Sequence, residues 1–182
     1  METIISIKPL LAVLVSLFVI PVLVSSSGKP NVRESWIFVA GAVKLVLVLS
    51  MLPVILEGKQ IALTLFEIAP GAAIAFRVDG LGMLFAIVAA SLYIVTSIYS
   101  IGYMRGLNEH GQTRFVSFFA LAISATIGAA FSANLLTLYL FYEILSLATY
   151  PLVTHHQDAT SRISGRRYLT FILGTSIALV LP

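Results

Sequence analysis

The sequence predicts an all-α fold: a polytopic membrane helix bundle with five full transmembrane helices plus an incomplete sixth, and room for a short external β-hairpin. Three observations predict it. Hydrophobic residues make up 59% of the chain and charged residues only 10%, against roughly 25% charged in soluble domains. The apolar residues gather into six runs parted by short polar breaks within 182 residues, and each bilayer crossing needs about 20 of them. A single carboxylate, Glu143, stands at the middle of the apolar run 133–153. That run is roughly 30 Å long as a helix and places the carboxylate near the bilayer midplane.

The elements follow in order. The first run covers residues 4–24, with Pro9 near its start, where a missing N–H costs least. It is too long for a signal-peptide core and lacks a basic leader, so it reads as a retained helix. Ser25-Ser26-Ser27-Gly28-Lys29-Pro30-Asn31 breaks the chain, and a second helix is expected over residues 35–55 with Pro53 in its last turn. Between Glu57 and Asp79 the pattern changes: Ile61, Leu63 and Leu65 alternate with Ala62 and Thr64, and Pro70-Gly71 signals a turn before Ala75-Phe76-Arg77-Val78. This is the hairpin candidate.

The third and fourth helices are expected over residues 81–103 and 115–131, and the fifth carries Glu143 and ends near Pro151. Asp79 stands where a helix N-cap would, which makes it structural. Ala120, Ser124, Gly128 and Ser132 form a small-residue stripe that permits close helix packing. Tyr93, Tyr99 and Tyr103 gather toward one end of the third helix and read as interfacial belt residues. The final apolar stretch, residues 169–181, gives about 20 Å of helix against a ~30 Å core. A second polypeptide is therefore expected to complete it, unless the chain is a fragment.

Lysine and arginine counts orient the bundle. With the N-terminus outside, the inner connections hold Lys29, Arg33, Arg105, Arg114, Arg162, Arg166 and Arg167, and the outer side holds Lys8, Lys59 and Arg77. The excess on one side favours that orientation.

The same composition excludes several chemistries. There is no cysteine, so iron–sulfur ligation, thiolate zinc sites and disulfides are ruled out. His110, His155 and His156 all fall in polar connections and not inside a membrane run, which argues against a haem held between helices. No cofactor, metal-ligand spacing, nucleophile–base pair or phosphate-binding glycine loop is evident, so the chain has no catalytic centre of its own. No basic block suits a nucleic acid.

What remains is intramembrane charge. Ionisable groups at the depth of Glu143 mark an ion path, a proton relay or a buried partner. Tyr139, Glu143, Ser146 and Tyr150 share one helix side, so that side is expected to face protein or water and the other lipid. Lys44, about nine residues into the second helix, is either a relay member or ion-pair partner of Glu143, or a lysine snorkelling to the interface or paired at a subunit contact. The latter reading is preferred. His155 and His156, directly after the Glu143 helix, are candidates for a proton shuttle at the inner mouth, against the bland alternative of solvated loop histidines.

Three motifs now carry a resemblance: Arg77-Val78-Asp79-Gly80-Leu81-Gly82-Met83-Leu84-Phe85; Tyr99-Ser100-Ile101-Gly102-Tyr103-Met104; and Asn134-Leu135-Leu136-Thr137-Leu138-Tyr139-Leu140-Phe141-Tyr142-Glu143-Ile144-Leu145-Ser146-Leu147-Ala148-Thr149-Tyr150-Pro151-Leu152. In order and spacing they resemble the N-terminal third of the antiporter-like membrane subunits shared by respiratory complex I, membrane-bound hydrogenases and the Mrp sodium/proton antiporters. The resemblance implies that Glu143 matches an essential proton-relay glutamate and that residues 75–182 begin a proton-translocating domain, after a two-helix region with its external loop at 1–74. It implies further membrane subunits that complete the proton path, protons with or without sodium as cargo, a prokaryotic inner membrane as location, and at most membership of a redox-driven translocase. The alternative is a purely structural subunit of such a complex.

Overall fold

The computed structural model describes residues 2–69 and 72–180, and the Pro70-Gly71 turn signal, Leu181 and Pro182 lie outside them. The order is β1 (Thr3–Ile5), α1 (Lys8–Ser25), α2 (Pro30–Leu49), α3 (Leu52–Leu56), β2 (Gln60–Ala69), β3 (Ala72–Val78), α4 (Gly80–Gly106), α5 (Gln112–Ala130), α6 (Leu135–Val153) and α7 (Ala159–Val180). Five stretches are long and apolar enough to cross a membrane: Lys8–Ser25, Pro30–Leu56, Gly80–Gly106, Gln112–Ala130 and Leu135–Val153. The expected helix bundle is the fold observed.

Several boundaries differ from expectation, each for a local reason. The first run does not begin as helix: Thr3, Ile4 and Ile5, two of them adjacent isoleucines, form β1 and pair in parallel with Gln60, Ile61 and Ala62 of β2. The hairpin thus becomes a three-stranded sheet in the order β1-β2-β3. The second helix starts five residues early because Pro30 occupies its first turn, where the absent N–H costs nothing. It breaks before Pro53, whose ring would clash with the carbonyl four residues back. The Ser50 carbonyl released by that break accepts a hydrogen bond from Lys8 Nζ at 3.2 Å. The last helix starts ten residues early, at Ala159, because Asp158 caps it by accepting from the Ser161 amide at 2.7 Å. Its first turns therefore carry Arg162, Arg166 and Arg167 on helix and not on loop.

The helices alternate direction, so the connections sort into two ends. The sheet, the α5–α6 connection and Asp79 lie at a hairpin end. The α1–α2, α4–α5 and α6–α7 connections, with all three histidines, lie at a histidine end. In between, α5 packs against α1 on one side and α6 on the other, while α2 packs against α1 and α4. The small-residue stripe acts as packing: Ala120 and Ser124 are buried, Ser124 Oγ donates to the Val13 carbonyl of α1 at 2.7 Å, and the Phe141 ring of α6 lies over Gly128. Asp79 caps α4 through the Gly82 amide at 2.7 Å.

One expectation about aromatics is corrected. Tyr99 and Tyr103 are exposed and stack with ring centroids 5.9 Å apart, as belt residues would. Tyr93 is buried and packs on Phe119. It shares the inward stripe of Ser97, Ser100 and Met104, offset around the helix from the other two tyrosines.

Candidate functional site

The position of Glu143 is set from the hairpin end. Asn134 caps α6 by accepting from the Thr137 amide at 2.8 Å, and its Nδ2 donates to the Ala73 carbonyl of β3 at 2.7 Å. Thr137, fully buried, accepts from the Ala75 amide at 3.1 Å. Phe141 then packs on Phe76 with centroids 5.6 Å apart. These contacts fix the rotation of α6 about its axis, so that Glu143 turns toward α7. Its carboxylate accepts a hydrogen bond from Ser176 Oγ.

Further contacts hold α7 to α6 and its C-cap. The hydroxyls of Thr149 and Tyr168 share a hydrogen bond of 2.8 Å, and Gly165 brings α7 close against Thr154 and Tyr150. The side chains named from sequence as one polar face, Tyr139, Glu143, Ser146 and Tyr150, are all half-buried or buried, but the opposite side is not the outward one expected: Phe141 packs on Phe76 there and Ala148 is buried, while the exposed Tyr142 and Leu147 flank the polar face. Glu143 is thus a carboxylate in a membrane-crossing helix, facing a neighbouring helix that presents hydroxyls. Ser176 was missed by sequence reading. A polar residue inside the last apolar run is the same kind of signal that singled out Glu143, but which helix it faces depends on the fold.

Lys44 occupies a different compartment. It is fully buried in the core formed by α1, α2, α4 and α5, with Nζ 6.0 Å from the centroid of the Tyr93 ring and no hydrogen-bond partner among the described residues. The snorkelling preferred from sequence does not describe it, because the surrounding helices enclose the whole side chain. Ion pairing with Glu143 is also absent among the described residues. The hydroxyls of Ser16, Tyr93 and Ser117, buried like Lys44, have no hydrogen-bond partner among the described residues either.

At the histidine end, His155 and His156 join His110 and Glu109 from the α4–α5 connection. His155 stacks on His110 with centroids 5.2 Å apart, and His156 lies 6.1 Å from the same ring. The His155 carbonyl accepts from Arg114 Nη2 at 2.6 Å. Burial lowers the pKa of His155, aided by the nearby Arg114 and His110 charges. A second cluster closes the same end: Arg105 clasps Glu34 at 2.7 Å, and Arg33 donates to Thr113 Oγ1 at 3.0 Å and Gln112 Oε1 at 2.8 Å. Neither cluster was assembled from sequence, since the members come from connections far apart in the chain.

Comparisons with known proteins agree with this architecture. The family model described as NADH-Ubiquinone oxidoreductase (complex I), chain 5 N-terminus, matches residues 70–116. The Na(+)/H(+) antiporter subunit A1 of Staphylococcus aureus strain bovine RF122 / ET3-1 is 30% identical over 112 residues, covering 57% of this chain and 14% of that protein. The subunit A1 of strain JH9 matches to the same extent. In structure, the chain matches part of the membrane-bound sulfane sulfur reductase, an archaeal respiratory membrane complex, with a TM-score of 0.77 and 14% identity over 91% of this chain and 34% of that chain. The last likeness concerns the fold alone. The chain spans a small part of the length of the relatives it matches. Together these matches bear out the resemblance read from the three motifs: this chain is similar to the antiporter-like membrane subunits of complex I-like and sodium/proton antiporter assemblies.

Proposed function

We propose that this chain is a proton-translocating antiporter-like membrane subunit of a multi-subunit complex, with Glu143 as a relay residue. One observation carries the reading: Glu143, in the middle of a membrane-crossing helix, faces a hydroxyl-bearing helix and, among the described residues, has a hydroxyl and not a cation as its partner. A carboxylate held only to bind helices together would be matched with a lysine or arginine, because one unpaired buried charge costs several kcal/mol. A hydroxyl can both donate to the carboxylate and accept from its protonated form, so the contact survives proton uptake and release.

Other membrane subunits supply the rest of the path in this proposal. Protons, with sodium as a counter-cargo, are the transported species. The location is a prokaryotic inner membrane. The histidine end, which gathers seven lysines and arginines against three at the hairpin end, faces the cytoplasm, so the N-terminus is outside. Lys44 enters as a second intramembrane charge in its own compartment and not as the counter-ion of Glu143. His155 and His156 are given no step, since no hydrogen bond or ion pair links them to Glu143 among the described residues.

The test is proton translocation in membrane vesicles, normalised to assembled complex. Glu143→Gln keeps the shape and a hydrogen bond to Ser176 but cannot carry a proton, so transport is expected to vanish at normal assembly. Glu143→Asp withdraws the carboxylate by one methylene and should retain part of it. Wild-type transport by Glu143→Gln would instead favour the purely structural subunit.

A further inference from the structure

The α4–α5 connection is shaped to present Glu109 and His110. Asn108 adopts the left-handed conformation (φ 51°), and two hydrogen bonds close the helix end behind it: Asn108 N–H to the Arg105 carbonyl at 3.2 Å and Glu109 N–H to the Met104 carbonyl at 2.9 Å. This is the paired 5→2 and 6→1 closure that fixes the direction of the next residues. The α6–α7 connection approaches from the other side. It turns at Gln157, also left-handed (φ 57°), with Arg114 gripping the His155 carbonyl.

One ligand atom each from Glu109, His110 and His156 then lies within 4.8 Å of the others. The distances are informative in detail. Glu109 Oε2 is 3.7 Å from His110 Nδ1 and 3.8 Å from His155 Nε2. Both are too long for hydrogen bonds. They approach the separation of roughly 3.3 Å between ligands that share a tetrahedral ion with bonds of about 2.0–2.1 Å. His155 is 9% exposed, and neither of its ring nitrogens has a hydrogen-bond partner among the described residues. A buried imidazole that leaves both nitrogens unused while one faces a carboxylate oxygen needs a ligand to satisfy it.

We propose that Glu109, His110 and His156, with the His155 Nε2 that faces the same carboxylate as a fourth ligand, bind one divalent transition-metal ion of the zinc class, tying the α4–α5 connection to the α6–α7 connection. Imidazole nitrogens with a single carboxylate select that class over magnesium and calcium, which require mostly oxygen donors. His110 and His156 are exposed, so side-chain rotation can close the remaining ångström without disturbing the core. The proposal stands apart from the relay assigned to Glu143.

The test uses the full chain purified without a polyhistidine tag. Calorimetric titration with zinc is expected to show one saturable ion per chain, uncompeted by excess magnesium. His110→Ala and His156→Ala should each weaken it about tenfold or more, in line with the loss of one ligand or its support. Hydrogen exchange on the unaltered chain gives a reading that needs no variant: zinc should slow exchange at residues 107–111 and 154–158 together. Absence of saturable zinc binding, unchanged affinity in the H110A/H156A double variant, or no change in exchange at either connection would each overturn the proposal.

Discussion

The two ends of the bundle are joined by different kinds of contact. At the hairpin end the joints involve backbone: Ala133 N–H bonds to the Ala75 carbonyl at 2.9 Å and Arg77 N–H to the Phe131 carbonyl at 2.7 Å. The Asn134 and Thr137 side chains add bonds to β3, over a core that includes Phe76, Val78, Met83 and Phe131. At the histidine end the joints run through side chains, pairing Arg33, Glu34, Arg105, Gln112 and Thr113 with one another and setting Arg114 on the His155 carbonyl. Backbone joints share the load among many neutral groups. Charged side-chain joints concentrate it, so a single substitution can leave a buried ion without its partner.

The comparison predicts an order of effects. Glu34→Ala should be the most damaging to stability, because it leaves Arg33, whose side chain is 5% exposed, beside Arg105 with only neutral acceptors. A loss of about 3 kcal/mol is expected in a denaturation assay in detergent, and a loss under 1 kcal/mol would break the distinction between the ends.

Thr137→Val at the hairpin end removes the acceptor of the buried Ala75 N–H but leaves the neighbouring backbone bonds. It should cost about 1–2 kcal/mol in the same assay. A larger loss than that of Glu34→Ala would reverse the order.

Lys44 lies between the ends and belongs to neither. Its ammonium has no hydrogen-bond partner among the described residues, so Lys44→Met, which keeps most of the volume, should change stability by no more than about 1 kcal/mol, in either direction. Loss of transport at unchanged stability would place Lys44 in the relay; a loss of several kcal/mol would reveal a partner supplied by another subunit.

The smallest effect is expected at Lys59. The hydrogen bond and charge of Glu57, with the charge of Glu2, raise its pKa above the usual 10.5. A raised folded-state pKa contributes stability below 10.5 that disappears as pH rises through the higher value. Because the pair is exposed, Lys59→Gln should leave the denaturation midpoint unchanged near neutral pH. A measurable shift would show that charge matters at the hairpin end as well.

Much of the membrane architecture was legible because lipid imposes a simple rule: long apolar runs become helices, and a carboxylate inside one stands out. Asp79 and the small-residue stripe were legible for similar reasons, since capping and close packing depend on neighbours along one helix. Three things were not. The β1 strand reads as the start of an apolar run, and only pairing with β2 makes it a strand. The burial of Lys44 and Tyr93 depends on which faces of α2 and α4 meet. Ser176 opposite Glu143, and the three histidines with Glu109, depend on residues far apart in sequence being brought together by helices that run in opposite directions.

Pairing of β1 with β2 also has a consequence for the order of events in synthesis. Thr3, Ile4 and Ile5 leave the ribosome before their partners Gln60, Ile61 and Ala62, which follow only after two membrane-crossing helices. Since domains form as the chain emerges, the first strand must wait at the surface until α1 and α2 have crossed and returned. The sheet can close only if both helices are inserted, because a single crossing would leave the strands on opposite sides of the bilayer. The parallel pair therefore forms last, after both crossings, when the hairpin arrives.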